Sequence, residues 1–229
     1  MTTHTLAHIR RAAIVAMLAV CSSAEAQQPS MRDVLGQMPD SLLPTMSKNN
    51  RLDMIDFIDS GMKAIVTDKL NGQCTMDTLT ADYARISMGG SMAIELKVLP
   101  SSTQLPDSST CVVCMVKTFG LQTKESEACL FTGKWHPLPS TTLAPNAYAP
   151  QLIVRPDTMP AERYADICPD TALLMVAAAL SPSDNTLTLT PQVPLQTEDE
   201  RKETAPLMHC LTLKWTGKEF RPGNASTIL

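Results

Sequence analysis

Two histidines, His136 and His209, and six cysteines follow the first 26 residues of the chain and are its best candidates for nucleophilic or metal chemistry. Zinc sites use cysteine and histidine ligands at short spacings, and neither histidine has the other near it in sequence. A cysteine–histidine pair such as Cys129 with His136 needs only to meet in space. With six cysteines, however, some such pair can always be named, so the pair is weak evidence of catalysis. The sequence therefore predicts no metal-binding residue and no catalytic residue.

Cys111 and Cys114 have the spacing of a thioredoxin-type redox motif, but they lie in a run of β-branched residues that predicts a strand. Residues three apart on a strand point to opposite faces, so these two thiols cannot pair with each other. We interpret them as small buried hydrophobic residues. If the chain forms a disulfide, a hairpin turning at Leu121-Gln122 would make Cys114 and Cys129 its partners.

Other catalytic signatures are missing from the sequence. It has no Gly-x-Ser-x-Gly elbow, and Gly89-Gly90-Ser91 falls at a predicted hairpin turn. Its nine glycines stand singly or in turns, which does not indicate a phosphate-binding loop. Paired carboxylates for glycoside hydrolysis are recognisable only in three dimensions. We therefore predict no cofactor, and an enzymatic activity is the less favoured alternative.

An export signal occupies residues 1–26. Arg10 and Arg11 form its positive region, and residues 12–20 form an apolar stretch too short to span a bilayer. Ala24-Glu25-Ala26 fits the rule for signal-peptide cleavage, so the mature chain is predicted to start at Gln27. We expect the protein to be exported, with no transmembrane segment in the mature chain.

Lipid anchoring is the alternative form of export. Leu18-Ala19-Val20-Cys21 resembles a bacterial lipobox, whose cysteine would carry the lipid. Val20 stands where such boxes usually have Gly, Ala or Ser, so attachment at Cys21 is the less favoured reading.

Apolar residues at helical spacing predict two helices before residue 61. Ser30 resembles an N-cap and opens a short helix that Pro39 ends. The clearest helix covers residues 51–60, and Gly61 follows its last turn. An acidic stripe runs beside its apolar face, formed by Asp53, Asp56 and Asp59. We interpret the stripe as a solvated face, with a surface for a cation or a basic partner as the alternative.

After this helix the apolar period changes to two residues, which predicts antiparallel strands. The strands of the first half are predicted at 64–68, 74–79, 83–88, 92–99, 111–118 and 125–131. Asn71-Gly72 and Gly89-Gly90 supply strong hairpin signals between them. The sequence thus predicts an α+β fold in which N-terminal helices pack on an antiparallel meander.

The second half repeats this theme more weakly. Its predicted elements are a short helix at 158–166, strands at 172–180 and 186–190, an exposed charged loop at 198–203 and a final hairpin at 207–221. Lys134-Trp135 and Lys214-Trp215 close the two halves, which raises the hypothesis of a tandem repeat. We predict units at 27–139 and 151–229, joined by a linker at 140–150.

Two stretches of the sequence resemble a known family. Residues 31–44 with 49–59 resemble the start of an exported Bacteroidetes family of unknown function, and Lys134-Trp135-His136-Pro137-Leu138 resembles its mid-chain signature. The resemblance covers most of the mature chain. It implies a Gram-negative cell envelope but carries no activity, cofactor or catalytic residue.

A short sequence pattern that occurs four times is relevant in such an envelope. Asp followed by Ser or Thr and then a small or aliphatic residue resembles an O-glycosylation sequon of exported proteins in that phylum. The pattern occurs at Ser41, Thr78, Thr158 and Thr171. Helix caps and turns also favour these residue types, which is the alternative explanation of each match. We hypothesise that at least one of the four is modified.

The composition excludes several function classes. The chain has 229 residues, 44% of them apolar and 18% charged, and a net charge of −4, as in a globular protein. It has no cluster of Lys and Arg, so we predict no nucleic-acid partner. Two Trp, three Tyr and four Phe are few for extended sugar recognition.

The favoured hypothesis is a non-catalytic envelope protein that binds an unknown envelope protein or polymer. It rests on the missing catalytic motifs, on sheet edges open to strand addition and on the acidic helix face. The alternatives are a polymer hydrolase with a site assembled from distant residues, and a carrier of lipid or another small ligand. A pocket with several carboxylates or a cysteine–histidine pair would favour the hydrolase. An exposed apolar patch would favour the binding protein.

Overall fold

The computed structural model describes residues 28–139 and 143–223. The predicted signal at 1–26 lies outside the described residues. Two helices come first, α1 at Met31–Gln37 and α2 at Lys48–Asp59, with a 3₁₀ turn at Asp40–Leu42 between them. Within the described ranges no helix is long and apolar enough to cross a membrane.

Seven strands follow and pair in chain order as one antiparallel meander. Their bounds are β1 Ile65–Thr67, β2 Gln73–Leu79, β3 Tyr83–Met88, β4 Met92–Pro100, β5 Cys111–Phe119, β6 Glu125–Thr132 and β7 Pro137–Leu138. Each strand pairs with its neighbour in sequence, because short turns between them permit only antiparallel pairing.

The second half forms a four-stranded antiparallel meander with short helices around it. Its strands are β8 Met175–Leu180, β9 Thr186–Gln192, β10 Leu211–Trp215 and β11 Phe220–Pro222. Its α-helices are α3 Ala161–Ile167 and α4 Glu198–Thr204, and 3₁₀ turns lie at Pro145–Gln151, Thr171–Leu173 and Ala205–Leu207.

The molecule has three layers, with the seven-stranded sheet in the middle. Alternate residues of β5 divide between its two faces, as strand geometry requires. Val113 and Met115 join the buried cluster beneath α1 and α2, whereas Val112 and Val116 join the cluster shared with the four-stranded sheet. The predicted α+β architecture is therefore confirmed.

A fully buried arginine holds the N-terminal helices together. Arg51 of α2 donates to the carbonyl oxygens of Leu35 at 3.2 Å, Met38 at 2.5 Å and Met46 at 3.2 Å. It also pairs with Asp40 at 3.0 Å. These bonds satisfy carbonyl groups where α1 ends, and they allow the charged group to be buried.

Two polar side chains of the middle sheet hold the edge strand β8 of the other sheet. Ser126 Oγ accepts a hydrogen bond from the N–H of Ala178 at 2.9 Å. Glu95 Oε2 accepts one from the N–H of Leu180 at 2.8 Å, and its other oxygen pairs with Arg85. Glu95 is 5% exposed and Ser126 is 4% exposed. The backbone of β8 thus finds partners that no neighbouring strand supplies.

A buried lysine makes a similar connection at the far end of β8. Lys97 of β4 is 1% exposed, and its ammonium pairs with Asp82 at 2.8 Å. It also donates to the carbonyl oxygen of Pro182, in the turn after β8, at 3.3 Å. The position of the second sheet on the first is therefore fixed by directional bonds as well as by apolar packing.

Most predicted elements agree with the structure. The predicted loop at 198–203 is wrong, because Thr197 and Glu200 form a capping box that begins α4. Helix α2 begins earlier than predicted, since Ser47 and Asn50 form another capping box. The tandem repeat is not confirmed, because the halves form sheets of seven and four strands. Residues 145–150 of the predicted linker belong to a 3₁₀ turn with Pro145 and Ala149 buried.

We expect Glu95→Ala to lower the free energy of unfolding by about 3 kcal/mol, because it leaves the Leu180 N–H and the Arg85 guanidinium without their partner. Urea denaturation at pH 7 measures the change. Glu127→Ala, an exposed position on β6, is the control and should change stability by less than about 0.5 kcal/mol. Equal losses in the two variants would contradict a role for Glu95 in holding β8.

Candidate functional site

An aspartate–histidine pair lies at the turn between β6 and β7. Asp107 Oδ2 is 2.8 Å from His136 Nδ1, and it accepts a hydrogen bond from Thr132 Oγ1 at 2.5 Å. Asp107 Oδ1 accepts one from the N–H of Ser109 at 3.0 Å. The Asp107 side chain is 12% exposed and that of His136 is 67% exposed. The sequence signature at 134–138 therefore builds this turn.

The Asp107 carboxyl is held in its charged form. Burial by itself raises its pKa, but hydrogen bonds from Thr132, Ser109 and His136 outweigh burial and hold the pKa well below its usual range. A carboxylate so placed fixes the orientation of the imidazole, as in catalytic pairs.

The same turn is tied to the N-terminal helices. Trp135 has a φ of 66°, in the left-handed region, and its indole N–H donates to the carbonyl oxygen of Val34 at 3.0 Å. Its ring packs against Phe131 with centroids 5.4 Å apart. The backbone strain at Trp135 thus positions a bond between the middle sheet and α1.

No serine, threonine or cysteine side chain of the described residues is hydrogen-bonded to the imidazole of His136. His136 Nε2 makes no hydrogen bond to any of them. Cys111 packs beneath the turn at Gly133, where a β-carbon would lie 2.8 Å from its Sγ. Burial raises the pKa of the Cys111 thiol, so it stays protonated. The pair can orient an imidazole. Its hydrogen bonds to Thr132 indicate a structural role, which is to hold the turn in place.

The described cysteines are all free, including the predicted disulfide partners. Cys114 lies opposite Leu130 and Cys129 lies opposite Met115. The predicted pairing is thus displaced by one residue, which places the two thiols on opposite faces of the sheet. The interpretation of Cys111 and Cys114 as buried residues on opposite faces is confirmed, since each joins a different core cluster.

Three of the four predicted glycosylation positions are exposed. Ser41 lies in a 3₁₀ turn, Thr158 in a turn before α3, and Thr171 at the start of another 3₁₀ turn. Thr78 differs, because it is half-buried on β2 beside a bulge. The first three therefore have the accessibility that modification requires.

The acidic stripe on α2 is solvated, and one of its members is already paired. The side chains of Asp53 and Asp56 are exposed and make no hydrogen bond to other described residues. Asp59 pairs with Arg32 of α1. No group of three or more potential metal ligands occurs anywhere in the residues that the structure describes.

The principal exposed apolar feature lies on the segment between β9 and α4. Leu195 is fully exposed and has a φ of 59°. Left-handed backbone costs a residue with a β-carbon about 1–2 kcal/mol. Leu173, 64% exposed, lines the same cavity as Leu195. We call these two residues the leucine patch.

The cavity beside the leucine patch is acidic. It has a volume of about 400 Å³, and its lining includes Asp166, Asp170, Glu200 and Glu203. Three of these carboxylates have structural partners. Asp170 accepts a hydrogen bond from the N–H of Ala172, Glu200 accepts one from the N–H of Thr197, and Glu203 pairs with Arg163. Hydrogen bonds from Thr197 lower the pKa of Glu200, which keeps it charged. We call this space the acidic cavity.

A larger cavity lies on the other side of α4, with a volume of about 720 Å³. Residues 193, 195, 196 and 204 line both cavities. Arg201 is the one charged side chain among its described lining residues, which otherwise carry amide, hydroxyl and apolar groups. We call it the Arg201 cavity.

Sequence reasoning missed both the Asp107 partner of His136 and the leucine patch. Asp107 stands in a polar loop 29 residues before His136, and no motif links them. Pro194 before Leu195 was a turn signal, but nothing in the sequence shows that the leucine stays outside the core.

Comparisons with known proteins bear on the fold. The family model described as protein of unknown function (DUF3256) matches residues 22–220. No curated protein matches the chain. The structure of a domain of an uncharacterised protein from Porphyromonas gingivalis W83 is similar, with a TM-score of 0.63 and 19% identity over 86% of this chain and 100% of that one. At this identity the likeness shows the fold alone.

We expect Asp107→Asn to destabilise the protein by about 1–3 kcal/mol at pH 7, because the uncharged amide weakens the bonds to Thr132 and His136. The pKa of Asp107 is lower in the folded than in the unfolded protein, so its contribution is present above about pH 4 and is lost as the pH falls further. Urea denaturation should show the same difference between the two proteins at pH 7 and pH 5, and a smaller difference at pH 3, where the carboxyl of the unfolded chain takes up a proton.

The control for this prediction is Asp53→Asn on the exposed face of α2. It should change stability by less than about 0.5 kcal/mol at every pH. A difference between wild type and Asp107→Asn that stays constant from pH 7 to 3 would contradict the charged carboxylate as its source.

Proposed function

The chain belongs to the family of proteins of unknown function (DUF3256), and from its geometry we propose that it is an exported, non-catalytic protein-binding module. The leucine patch is the observation that carries this proposal. Leu195 combines full exposure with left-handed backbone, so the backbone costs the folded protein free energy that no burial of its side chain offsets. Strained positions of this kind concentrate at functional sites.

The charges around the patch define the partner. Four carboxylates line the acidic cavity beside Leu173 and Leu195. One of them, that of Glu203, is paired with Arg163. A protein surface with an apolar side chain flanked by Lys or Arg would place the apolar group on the leucines and the positive charges on the rim. Such complementarity provides specificity and speeds association.

The geometry favours binding over hydrolysis. The carboxylates of the acidic cavity have capping or ion-pair partners, apart from Asp166, for which the described residues supply none. Among the described residues no hydroxyl or thiol is hydrogen-bonded to the His136 imidazole, as a nucleophile activated by the aspartate–histidine pair would be. A carrier function would need space between helices and sheet, and a continuous cluster of buried side chains fills that interface.

Export to a Gram-negative envelope is part of the proposal. The tripartite pattern at 1–26 and the sequons at Ser41, Thr158 and Thr171 support it. Among the sequons, these three exposed positions are the ones we propose as modified.

We expect the protein purified from its native host to exceed the mass of the bare 27–229 polypeptide by the mass of one or more glycans. Intact-mass spectrometry measures this, and a triple Ser41→Ala, Thr158→Ala, Thr171→Ala variant should return to the polypeptide mass. Thr78→Ala is the matched control and should keep the glycan mass, because Thr78 is half-buried in a strand. A wild-type mass equal to the bare polypeptide would refute the modification.

The binding proposal predicts that a substitution at Leu195 weakens binding without lowering the stability of the protein. Glycine accepts left-handed backbone freely, so Leu195→Gly should leave the free energy of unfolding unchanged or raise it by up to about 1 kcal/mol. The same variant should bind its partner at least tenfold more weakly, because it lacks the apolar anchor. Thermal denaturation and affinity measurement with the captured partner test the two parts.

The partner is obtained by photo-crosslinking in the intact native envelope. A photoreactive residue at position 195 should give one protein adduct of defined mass. The same residue at Leu70, a 74% exposed leucine in the β1–β2 turn, is the control and should give none. Identical adducts from both positions, or none from position 195, would reject the leucine patch as the binding surface.

A further inference from the structure

The Arg201 cavity is larger than the acidic cavity, and the proposed partner surface does not use its interior. Its volume of about 720 Å³ falls in the range typical of ligand sites, roughly 300–1,000 Å³. Its lining combines apolar side chains such as Val193 and Met208 with polar groups that converge on one space. That combination can hold a ligand and also fix its orientation.

Arg201 provides the cavity with a positive charge. Its guanidinium forms no ion pair and no hydrogen bond with the described residues. The neighbouring cation on α4, Lys202, is by contrast paired with Glu198 at 3.0 Å. The described lining of the cavity contains no Asp or Glu. An arginine in this setting matches a carboxylate, whose two oxygens accept its N–H groups in parallel.

Three glutamines provide hydrogen-bonding groups of the kind a peptide backbone needs. Gln192 uses its oxygen to accept from the N–H of Lys124 at 2.5 Å, which leaves its NH₂ free to donate. Gln196 uses its NH₂ to donate to Thr204 at 3.1 Å, which leaves its oxygen free to accept. Gln122 keeps both groups free with respect to the described residues. The cavity therefore offers both donors and acceptors to amide groups.

We propose that the Arg201 cavity binds the C-terminal residues of a polypeptide, with the terminal carboxylate on Arg201 and the preceding peptide groups on Gln122, Gln192 and Gln196. A peptide fits better than an acidic saccharide, because the described lining carries no aromatic side chain on which a sugar ring would stack. This site lies beside the leucine patch and shares Leu195 with it, but its polar groups are not part of the patch.

The test uses two pools of random N-acetylated pentapeptides, one with free C-terminal carboxylates and one with C-terminal amides. Binding to the full mature chain is followed by NMR of the arginine side-chain Nε–H resonances and by titration calorimetry. The free-carboxylate pool should shift the Arg201 resonance, and the amidated pool should bind at least tenfold more weakly. Arg201→Gln should lose about tenfold in affinity, because it removes a charge-assisted pair.

Arg155→Gln is the matched control, since Arg155 is exposed, unpaired and outside the cavity lining. It should bind the free-carboxylate pool as wild type does. Equal binding of amidated peptides, an equal loss in Arg155→Gln, or no binding at millimolar peptide would overturn the proposal. Tighter binding of a uronic-acid oligosaccharide than of the peptides would overturn the polypeptide assignment. Leu173→Gly alters the leucine patch but not the lining of the Arg201 cavity, so it should retain peptide binding, and a failure here is distinguishable from a failure of the leucine patch.

Discussion

The arrangement of the molecule depends on how the edge strand β8 is satisfied. An edge strand that is covered by another sheet loses water without gaining a strand partner, so its N–H groups need other acceptors. Glu95 and Ser126 provide two, at 2.8 and 2.9 Å. Glu95 can be buried only because Arg85 neutralises it. These bonds close one sheet edge to strand addition and set where the second sheet lies. The segment 193–196 and helix α4 follow from that placement.

The fold could be predicted to a large extent from local signals. Alternating apolar residues and the turn pairs Asn71-Gly72 and Gly89-Gly90 define strands and hairpins that differ little from those observed, because each strand pairs with the next in sequence. Helix α4 was missed because charged residues dominate it, and its signal is a capping box rather than an apolar period. The buried charges Arg51 and Lys97 were also missed, since burial depends on partners contributed by other segments.

The candidate sites could not be predicted, because each one depends on an environment made by distant segments. His136 was visible as a candidate, but Asp107 becomes its partner only when the loop before β5 reaches the turn after β6. Leu195 looks in sequence like any core leucine, and the three-dimensional context alone shows it exposed. The disulfide expectation illustrates a finer limit: a register shift of one residue exchanges the faces of a strand.

The purely sequential strand order has a kinetic consequence. All sheet pairings join strands that are neighbours in the chain, so hairpins can form one after another without waiting for the other end of the polypeptide. The contacts that span long loops join the layers, among them Trp135 with Val34 across 101 residues and Leu180 with Glu95 across 85. We expect these to form last. A chain that emerges N-terminus first can thus assemble its middle sheet before its C-terminal residues are available, and dock the outer layers afterwards.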